Sequence, residues 1–213
     1  EWFDGEVGTA PTKREISCRQ MVGAIELLVA GPPCQGHSDL NNHTRRDDPR
    51  NALYLRVVRA AELLRPPVVL IENVPTVIWD RREVVQLARK AFRDMGYSVC
   101  DETVDISRFG LPQVRRRHVL LAHKQYSSDD LSNRISTREN RGKRNVCWAI
   151  SDLIDIASTE LFDKPSRISP ENKRRIDWLF RNKEYELPDS ERPKCHRDNK
   201  HSYKSVYGRL RWD

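Results

Sequence analysis

Apolar residues in the first part of the chain alternate between short continuous runs and helically spaced sets. Leu27–Ala30 and Val68–Ile71 are continuous apolar runs with the length and composition of buried strands. Between these runs, apolar side chains recur at helical spacing over Asn51–Arg65, and Pro66-Pro67 ends that pattern. The sequence therefore predicts a strand, a helix and a second strand up to Ile71.

The same alternation continues toward Lys124. Arg82–Met95 has the spacing of an amphipathic helix, and Gly96 follows it in the position that closes helices. Tyr97–Val104 and His118–His123 predict two more strands, separated by a loop over Ser107–Gln113. Strands and helices in this order predict an open, Rossmann-like α/β sheet.

The pattern changes after residue 124. Residues 125–145 are polar and predict a linker or loop, and Val146–Ile156 predicts one short helix. Residues 164–213 are basic, interrupted by prolines and interleaved with aromatic residues. We interpret 1–124 as a partial catalytic domain, 125–163 as a linker leading into a recognition region, and 164–213 as a small irregular domain. That last segment either contacts nucleic acid or is a solvated basic surface over an aromatic mini-core.

Charge and cysteine usage narrow the class of protein. The 213-residue chain has a formal net charge of +7, which favours a polyanionic partner, nucleic acid above all. No stretch approaches the roughly 18 to 20 apolar residues of a membrane span, and the first residues do not have the composition of a signal peptide. Five cysteines occur singly, which favours reduced thiols and a cytoplasmic location. A zinc site at Cys195, His196 and His201 is disfavoured because no Cys-x-x-Cys pair completes it, so we predict no metal.

Two polar tripeptides follow directly after predicted strands. Pro33-Cys34-Gln35 comes after the first strand, and Glu72-Asn73-Val74 comes after the second. Ligands of open α/β sheets bind at the carboxyl ends of strands, so both segments are expected at one catalytic edge. A cysteine in such a loop is exposed to a cleft and can act as a thiolate nucleophile.

Three segments together resemble the ordered signatures of cytosine-C5 methyltransferases: Gly31-Pro-Pro-Cys-Gln-Gly36, Glu72-Asn-Val74 and Gln113-Val-Arg-Arg-Arg117. The resemblance extends over Glu26–His123, with a looser similarity in Tyr207–Trp212 to the late target-recognition segment. It implies a Rossmann-like methyltransferase sheet with a small target-recognition domain. It also implies transfer of a methyl group from S-adenosylmethionine to C5 of a flipped-out cytosine in a specific sequence of double-stranded DNA, as in bacterial restriction-modification systems.

The resemblance also implies a role for each matching residue. Cys34 adds to cytosine C6, and Glu72, which must be protonated and would be favoured in that form by burial, contacts N3 and the exocyclic amine. Arg115 and Arg117 share one strand face and are assigned to O2 and the adjacent phosphate, with Arg116 on the opposite face. Residues expected to order the loops around the base are Gln35, Gly36, Asn73 and Gln113, and those expected to border the cofactor are Pro33 and Leu53.

The sequence also departs from the family pattern. The upstream Phe-x-Gly-x-Gly loop for S-adenosylmethionine is absent, since none of the nine glycines forms a Gly-x-Gly, and the closing motifs are missing. The sequence therefore resembles a fragment or one part of a split enzyme, and the expected partner is either a companion restriction endonuclease or a second chain supplying the missing motifs. His37 stands where the family usually has an aromatic residue, and Thr76 where glycine is common.

Three rival functions remain open. A catalytically silent DNA-binding subunit or paralogue would bind without turnover, which intact Cys34, Glu72 and Arg117 disfavour. A tRNA cytosine-C5 methyltransferase shares the chemistry, but the basic segment after Lys124 favours duplex DNA. A cysteine hydrolase is the least favoured, because the sequence places no histidine as a base for Cys34.

Overall fold

The computed structural model describes residues 2–37, 47–138, 142–154, 167–197 and 208–212. The chain divides into two compact units, unit 1 (Glu1–Lys143) and unit 2 (Arg144–Asp213). Each unit is considered by itself below. The functional assignment of residues 1–124, 125–163 and 164–213 stays a prediction.

Unit 1 is built on a four-stranded mixed sheet in the order β1-β2-β4-β3. Its strands are β1 (Leu27–Ala30), β2 (Val68–Asn73), β3 (Ser98–Asp105) and β4 (Arg116–His123). β1 and β2 are parallel, whereas β4 runs antiparallel between β2 and β3. The predicted α/β class is confirmed, and the antiparallel insertion of β4 is a feature that the strand-helix alternation did not predict.

Helices α2 (Leu53–Leu64) and α3 (Val84–Asp94) pack on one face of this sheet. Their apolar stripes meet Val69 and Ile71 of β2 in a core from which water is excluded. Gly96, at φ +82°, ends the turn after α3, a backbone conformation that favours glycine. Each predicted helix therefore forms within a few residues of its expected position because its apolar face has a sheet to cover.

A helix α1 (Lys13–Val22) precedes the sheet. Thr12 and Glu15 form a reciprocal capping box at its first turn. Glu15 is fully buried and pairs with the equally buried Arg59 of α2 through two bonds, 3.0 Å from Nε to Oε1 and 2.7 Å from Nη2 to Oε2. This bidentate pair joins the segment before β1 to the main core.

The prediction that Leu27–Ala30 is a buried strand is wrong for one of its faces. β1 lies at the edge of the sheet, and Leu27 and Val29 are 52% and 61% exposed. They share a face with Val68 and Leu70, their partners on β2, and this face is exposed at β1. An uninterrupted apolar run predicts burial, but only the tertiary structure shows what covers each face.

The loop predicted over residues 125–145 is replaced in part by helix α4 (Ser128–Arg138). Ser127 and Asp130 cap its first turn reciprocally, with the amide of Asp130 bonded to Oγ of Ser127 at 3.1 Å. Leu131 is 2% exposed, and Ser132 bonds Glu102 of β3. A single buried leucine on a polar helix gives too weak a periodicity to be recognised in the sequence.

Unit 2 contains helices α5 (Val146–Ile150), α6 (Pro170–Asn182) and α7 (Lys194–Arg197). The helix predicted over Val146–Ile156 is shorter than expected, continuing as a 3-10 turn over Ser151–Leu153, and Ile156 lies outside the described residues. α6 is more regular than the irregular domain predicted there, because Ser169 caps it and Pro170 occupies its first turn. Tyr203 and Tyr207 also lie outside the described residues.

Candidate active site

Cys34 lies in a tight turn just after β1. The chain leaves the strand at Gly31, and the amide of His37 donates to the carbonyl of Cys34 at 3.0 Å, which closes the turn. The cysteine is exposed and free, whereas Gly36 and His37 behind it are buried. The thiol is therefore exposed to solvent, while the turn that carries it ends in buried residues.

Glu72 lies beside this turn at the end of β2. The parallel register pairs Ala30 with Ile71, so Gly31 and Glu72 leave the sheet at the same level. A Cβ at Gly31 would lie 3.8 Å from Oε2 of Glu72. The structure thus brings the Cys34 loop and Glu72 to one edge, as expected from the ends of their strands.

Arg117 of β4 forms an ion pair with Glu72. Its Nε lies 2.5 Å from Oε1 of Glu72, and the side chains are 19% and 42% exposed respectively. The pair forms because Glu72 is opposite Val119, two residues from Arg117 on the same strand face. Glu72 is therefore less buried than the sequence predicted, since the face of the sheet on which it lies is only partly covered.

Asn73 and Thr76 hold the Cys34 loop against the segment after β2. Nδ2 of the buried Asn73 donates to the carbonyl of Pro32 at 3.2 Å, and its Oδ1 accepts from the amide of Val74 at 2.8 Å. The hydroxyl of Thr76 donates to the carbonyl of His37. The loop is thus tied to the Glu72 segment both before and after Cys34.

The turn Pro49–Ala52 supports the loop from another side. Oδ1 of Asp48 caps this turn through the amide of Arg50 at 2.9 Å, and the Arg50 guanidinium bonds both Asp48 and Oε1 of Gln35. A Cβ at Gly36 would lie 2.0 Å from Oδ1 of Asn51 and 2.4 Å from Cβ of Asp48. Only glycine fits where the side chains of Asn51 and Asp48 pack this closely against the loop.

For the other residues predicted for the site, the structure gives exposure and position but no described contact with Cys34 or Glu72. Arg115 and Arg116 are exposed where β4 begins, and Gln113 is exposed in the preceding loop. Pro33 is exposed beside Cys34, and Leu53 is half-buried at the start of α2. The described contacts single out Arg117 as the arginine at Glu72, while the roles of the remaining residues stay predictions.

A buried polar cluster behind the loop was missed by sequence reasoning. His37, Asn51 and Asp80 are each at most 4% exposed. Nδ2 of Asn51 lies 2.5 Å from Oδ2 of Asp80, and Nδ1 of His37 lies 3.4 Å from the same oxygen. The Asp48-Pro49 capping signature marks the start of the supporting turn, but the sequence carries no signal that joins Asp80 to His37 across 43 positions.

Two further observations bear on the class of protein. Within the described ranges, no group of three His, Cys, Asp or Glu side chains is arranged to hold a metal ion, while His201 and the side chains of Cys195 and His196 lie outside the description. None of the helices in those ranges has both the length and the apolar character that a membrane crossing requires.

The fold and the three signatures define the class. The family model for C-5 cytosine-specific DNA methylases matches residues 10–209, and the chain belongs to that family. Type II methyltransferase M1.BsuMI of Bacillus subtilis is 46% identical over 211 residues, which cover 99% of this chain and 49% of that protein. Type II methylase M.HgiDII of Herpetosiphon aurantiacus is 28% identical over 207 residues, 94% of this chain and 58% of that protein.

The solved structure of Entamoeba histolytica methyltransferase EhMeth aligns with 85% of this chain and 46% of its own, at 17% identity and a TM-score of 0.45. The chain spans about half the length of M1.BsuMI, the relative with 46% identity.

Proposed function

We propose that the protein to which this chain belongs transfers a methyl group to C5 of cytosine in a specific sequence of double-stranded DNA, through a covalent bond from Cys34 to C6. The observation that carries the proposal is the convergence of the exposed Cys34, Glu72 and Arg117 at one sheet edge. Family membership and the similarity to Type II methyltransferases support it.

Cys34 supplies the nucleophile in this mechanism. Its thiolate adds to C6, the C5–C6 double bond opens, and the electron pair makes C5 enamine-like and reactive toward a methyl donor. Once C5 carries the methyl group, a base removes the C5 proton, the double bond re-forms and the thiolate is expelled. Both steps require the base outside the helix, since stacking and pairing shield C5 and C6.

Glu72 and Arg117 neutralise the charge that addition builds on the base. Because the two side chains pair with each other in the structure, an entering base has to separate them. Addition builds negative charge toward N3, and a protonated Glu72 would neutralise that charge by donating to N3. The freed guanidinium of Arg117 then faces the developing charge at O2.

S-adenosylmethionine is the proposed methyl donor, and its site is not built by the described residues. Pro33 and Leu53, the two residues expected to border the cofactor, have apolar side chains. Neither side chain offers a polar anchor for a ribose or a carboxylate. The glycines of the Cys34 loop serve other contacts: Gly31 lies beside Glu72, and Gly36 lies against Asn51. When bound, S-adenosylmethionine would supply an electrophilic methyl group to C5, and the steps above concern only the base.

Unit 2 supplies features suited to a nucleic-acid contact. The guanidinium carbon of Arg144 lies 3.8 Å from the ring centre of Trp148, and that of Arg209 lies 4.5 Å from the ring centre of Tyr185. Trp148 is 55% and Phe180 61% exposed. Arginine stacked on exposed aromatic rings, in a chain of net charge +7, favours phosphate and base contacts, and binding should weaken steeply with salt.

Cellular context is proposed from the same similarities. We propose a cytoplasmic modification enzyme with a companion restriction endonuclease, since two of its relatives are named Type II enzymes. A second chain that supplies the motifs missing from this sequence is the alternative arrangement.

The decisive experiment traps the covalent intermediate. Full-length protein is incubated with duplex DNA containing 5-fluorocytosine and labelled S-adenosylmethionine, because fluorine at C5 prevents completion of the reaction. We expect a stable adduct on Cys34 that is absent from Cys34→Ser and present in Cys147→Ser, a control at another free thiol.

Each alternative has its own outcome in this assay. An adduct that persists in Cys34→Ser contradicts the assignment of the nucleophile. Adducts on fluorinated tRNA but not on DNA indicate the tRNA enzyme. Tight DNA binding by the full-length protein without any methyl incorporation indicates the silent regulatory subunit.

A further inference from the structure

His37 is a fully buried histidine directly behind the candidate nucleophile. Its side chain is 1% exposed, and the nearest charged group is the carboxylate of Asp80, which is 0% exposed. Burial lowers the pKa of His37 below its ordinary value, although Asp80 and Asp48 both act to raise it. The ring is therefore neutral near pH 7, and the Asp80 carboxylate favours the tautomer that carries its proton on Nδ1.

The backbone of His37 already fixes the turn that carries Cys34. Its amide donates to the carbonyl of Cys34, and its own carbonyl accepts from the hydroxyl of Thr76. The orientation of residue 37 is thus coupled directly to that of Cys34. A change at the ring that rotates this residue moves the nucleophile.

Asp80 contacts both His37 and the segments that hold Glu72 and Gly36. It ends the 3-10 turn Pro75–Trp79, which begins two residues after Asn73. Its Oδ1 accepts from the amide of Arg82 at 2.9 Å, and its Oδ2 accepts from Asn51 at 2.5 Å. One carboxylate therefore connects the Glu72 segment, the turn that supports Gly36, and the ring of His37.

A role in packing alone does not explain a histidine at this position. Among the described residues, neither ring nitrogen of His37 has a hydrogen bond of normal length, and Nδ1 has only the 3.4 Å contact to Asp80. A buried polar group without a hydrogen bond destabilises the fold, a penalty that an apolar ring of similar size would avoid. Of the two ring nitrogens, Nδ1 is the one that faces a charged group among the described residues, the carboxylate of Asp80.

We propose that His37 is a positioning residue, whose Nδ1, facing the carboxylate of Asp80, fixes the Cys34 turn relative to Glu72 for attack on the base. The inference rests on the proposed function and deepens it. The ring does not touch the substrate and exchanges no proton with it. It acts through the backbone of the turn.

The test distinguishes the effect of the Nδ1 atom from the effect of the size and shape of the ring. Asparagine at position 37 places an amide N–H near the Nδ1 position, glutamine places it nearer Nε2, and leucine provides no N–H. In the full-length protein we expect His37→Leu to slow single-turnover adduct formation with 5-fluorocytosine DNA by about 10-fold or more, since small displacements of reacting groups have effects of that order. His37→Asn should recover to within about 3-fold of wild type, His37→Gln should not, and DNA affinity should be unchanged.

A second measurement does not depend on activity. Backbone amides of residues 34–37 should exchange with solvent faster in His37→Leu and His37→Gln than in wild type, while His37→Asn keeps the wild-type rate. Phe92→Leu, a change in the core, is the control for general destabilisation and should alter neither the adduct rate nor this local exchange selectively.

The outcomes distinguish the two proposals. Failure of the wild type to form an adduct overturns the proposed function, and the exchange comparison then still decides the positioning role. Equal adduct rates or equal exchange in wild type and His37→Leu overturn the positioning role. So does a His37→Asn protein as slow as His37→Gln, which would show that ring shape, not the Nδ1 position, matters. If His37→Leu does not fold, the asparagine and glutamine variants alone decide.

Discussion

Gly36→Ala tests how tightly the Cys34 loop is held. The added Cβ would lie 2.0 Å from Oδ1 of Asn51 and 2.4 Å from Cβ of Asp48, whereas ordinary contact begins at 3.4 Å. Neither neighbour yields easily, because Asn51 is bonded to Asp80 and Asp48 to Arg50, and both are at most 2% exposed. The turn itself therefore has to move.

The expected magnitude follows from this overlap. Relief of the clash requires a shift of about 1 Å in the Cys34 turn, and a misplacement of that size costs on the order of 100-fold in rate. Overpacking of a tight site also costs about 1 to 3 kcal/mol of stability. We expect the larger effect on reactivity, because the loop can move away from Asn51 without unfolding the sheet.

The assay compares single-turnover adduct formation on 5-fluorocytosine DNA with urea unfolding, using full-length protein. Gly31→Ala is the matched control, since it makes the same change in the same loop but meets its nearest atom, Oε2 of Glu72, at an ordinary 3.8 Å. That control should keep most of the wild-type rate. A Gly36→Ala protein that reacts as fast as Gly31→Ala would refute the steric reasoning.

Two further predictions concern the buried pair of Arg59 and Glu15. Arg59→Met should lower the free energy of unfolding by about 3 to 5 kcal/mol at pH 7 in urea titrations, because it leaves a buried carboxylate without a counter-charge. The hydrogen bond from Arg59 lowers the pKa of Glu15 from 4.5 to about 2, so this stabilisation is complete above pH 4.5 and is lost as the pH falls toward 2. The stability difference between wild type and Arg59→Met should therefore shrink over that interval in urea titrations at successive pH values, and a difference that stays constant would contradict the linkage.

The sequence predicted that the Cys34 loop and Glu72 lie at one edge of the sheet, because this placement depends only on the residues within and just after each strand. Apolar runs that end at Ala30 and Ile71 place Cys34 and Glu72 after strands, and parallel strands bring such positions together. Asn73 was expected to hold the loop, and the structure shows its bond to the carbonyl of Pro32. These features rest on the period of a strand and on chain direction, both of which are readable from one sequence.

Other features depend on which elements become neighbours. The antiparallel entry of β4 between β2 and β3 brings Arg117 to Glu72, and the open face at that pair leaves Glu72 more exposed than a strand end suggests. Helix α4 was missed because only Leu131 marks its buried side. Hydrophobic patterning reports that a face is apolar or polar, but not which surface it meets.

The sequence by itself determined the family and the α/β class and predicted Cys34 as the reactive residue, since ordered motifs and local periodicity carry that information. Only the tertiary structure decided how the thiol is held. The contacts of Gly36 with Asn51, and of His37 with Asp80, join residues far apart in the chain. Such contacts arise from close packing and from the shared burial of polar groups, which no local pattern of residues specifies.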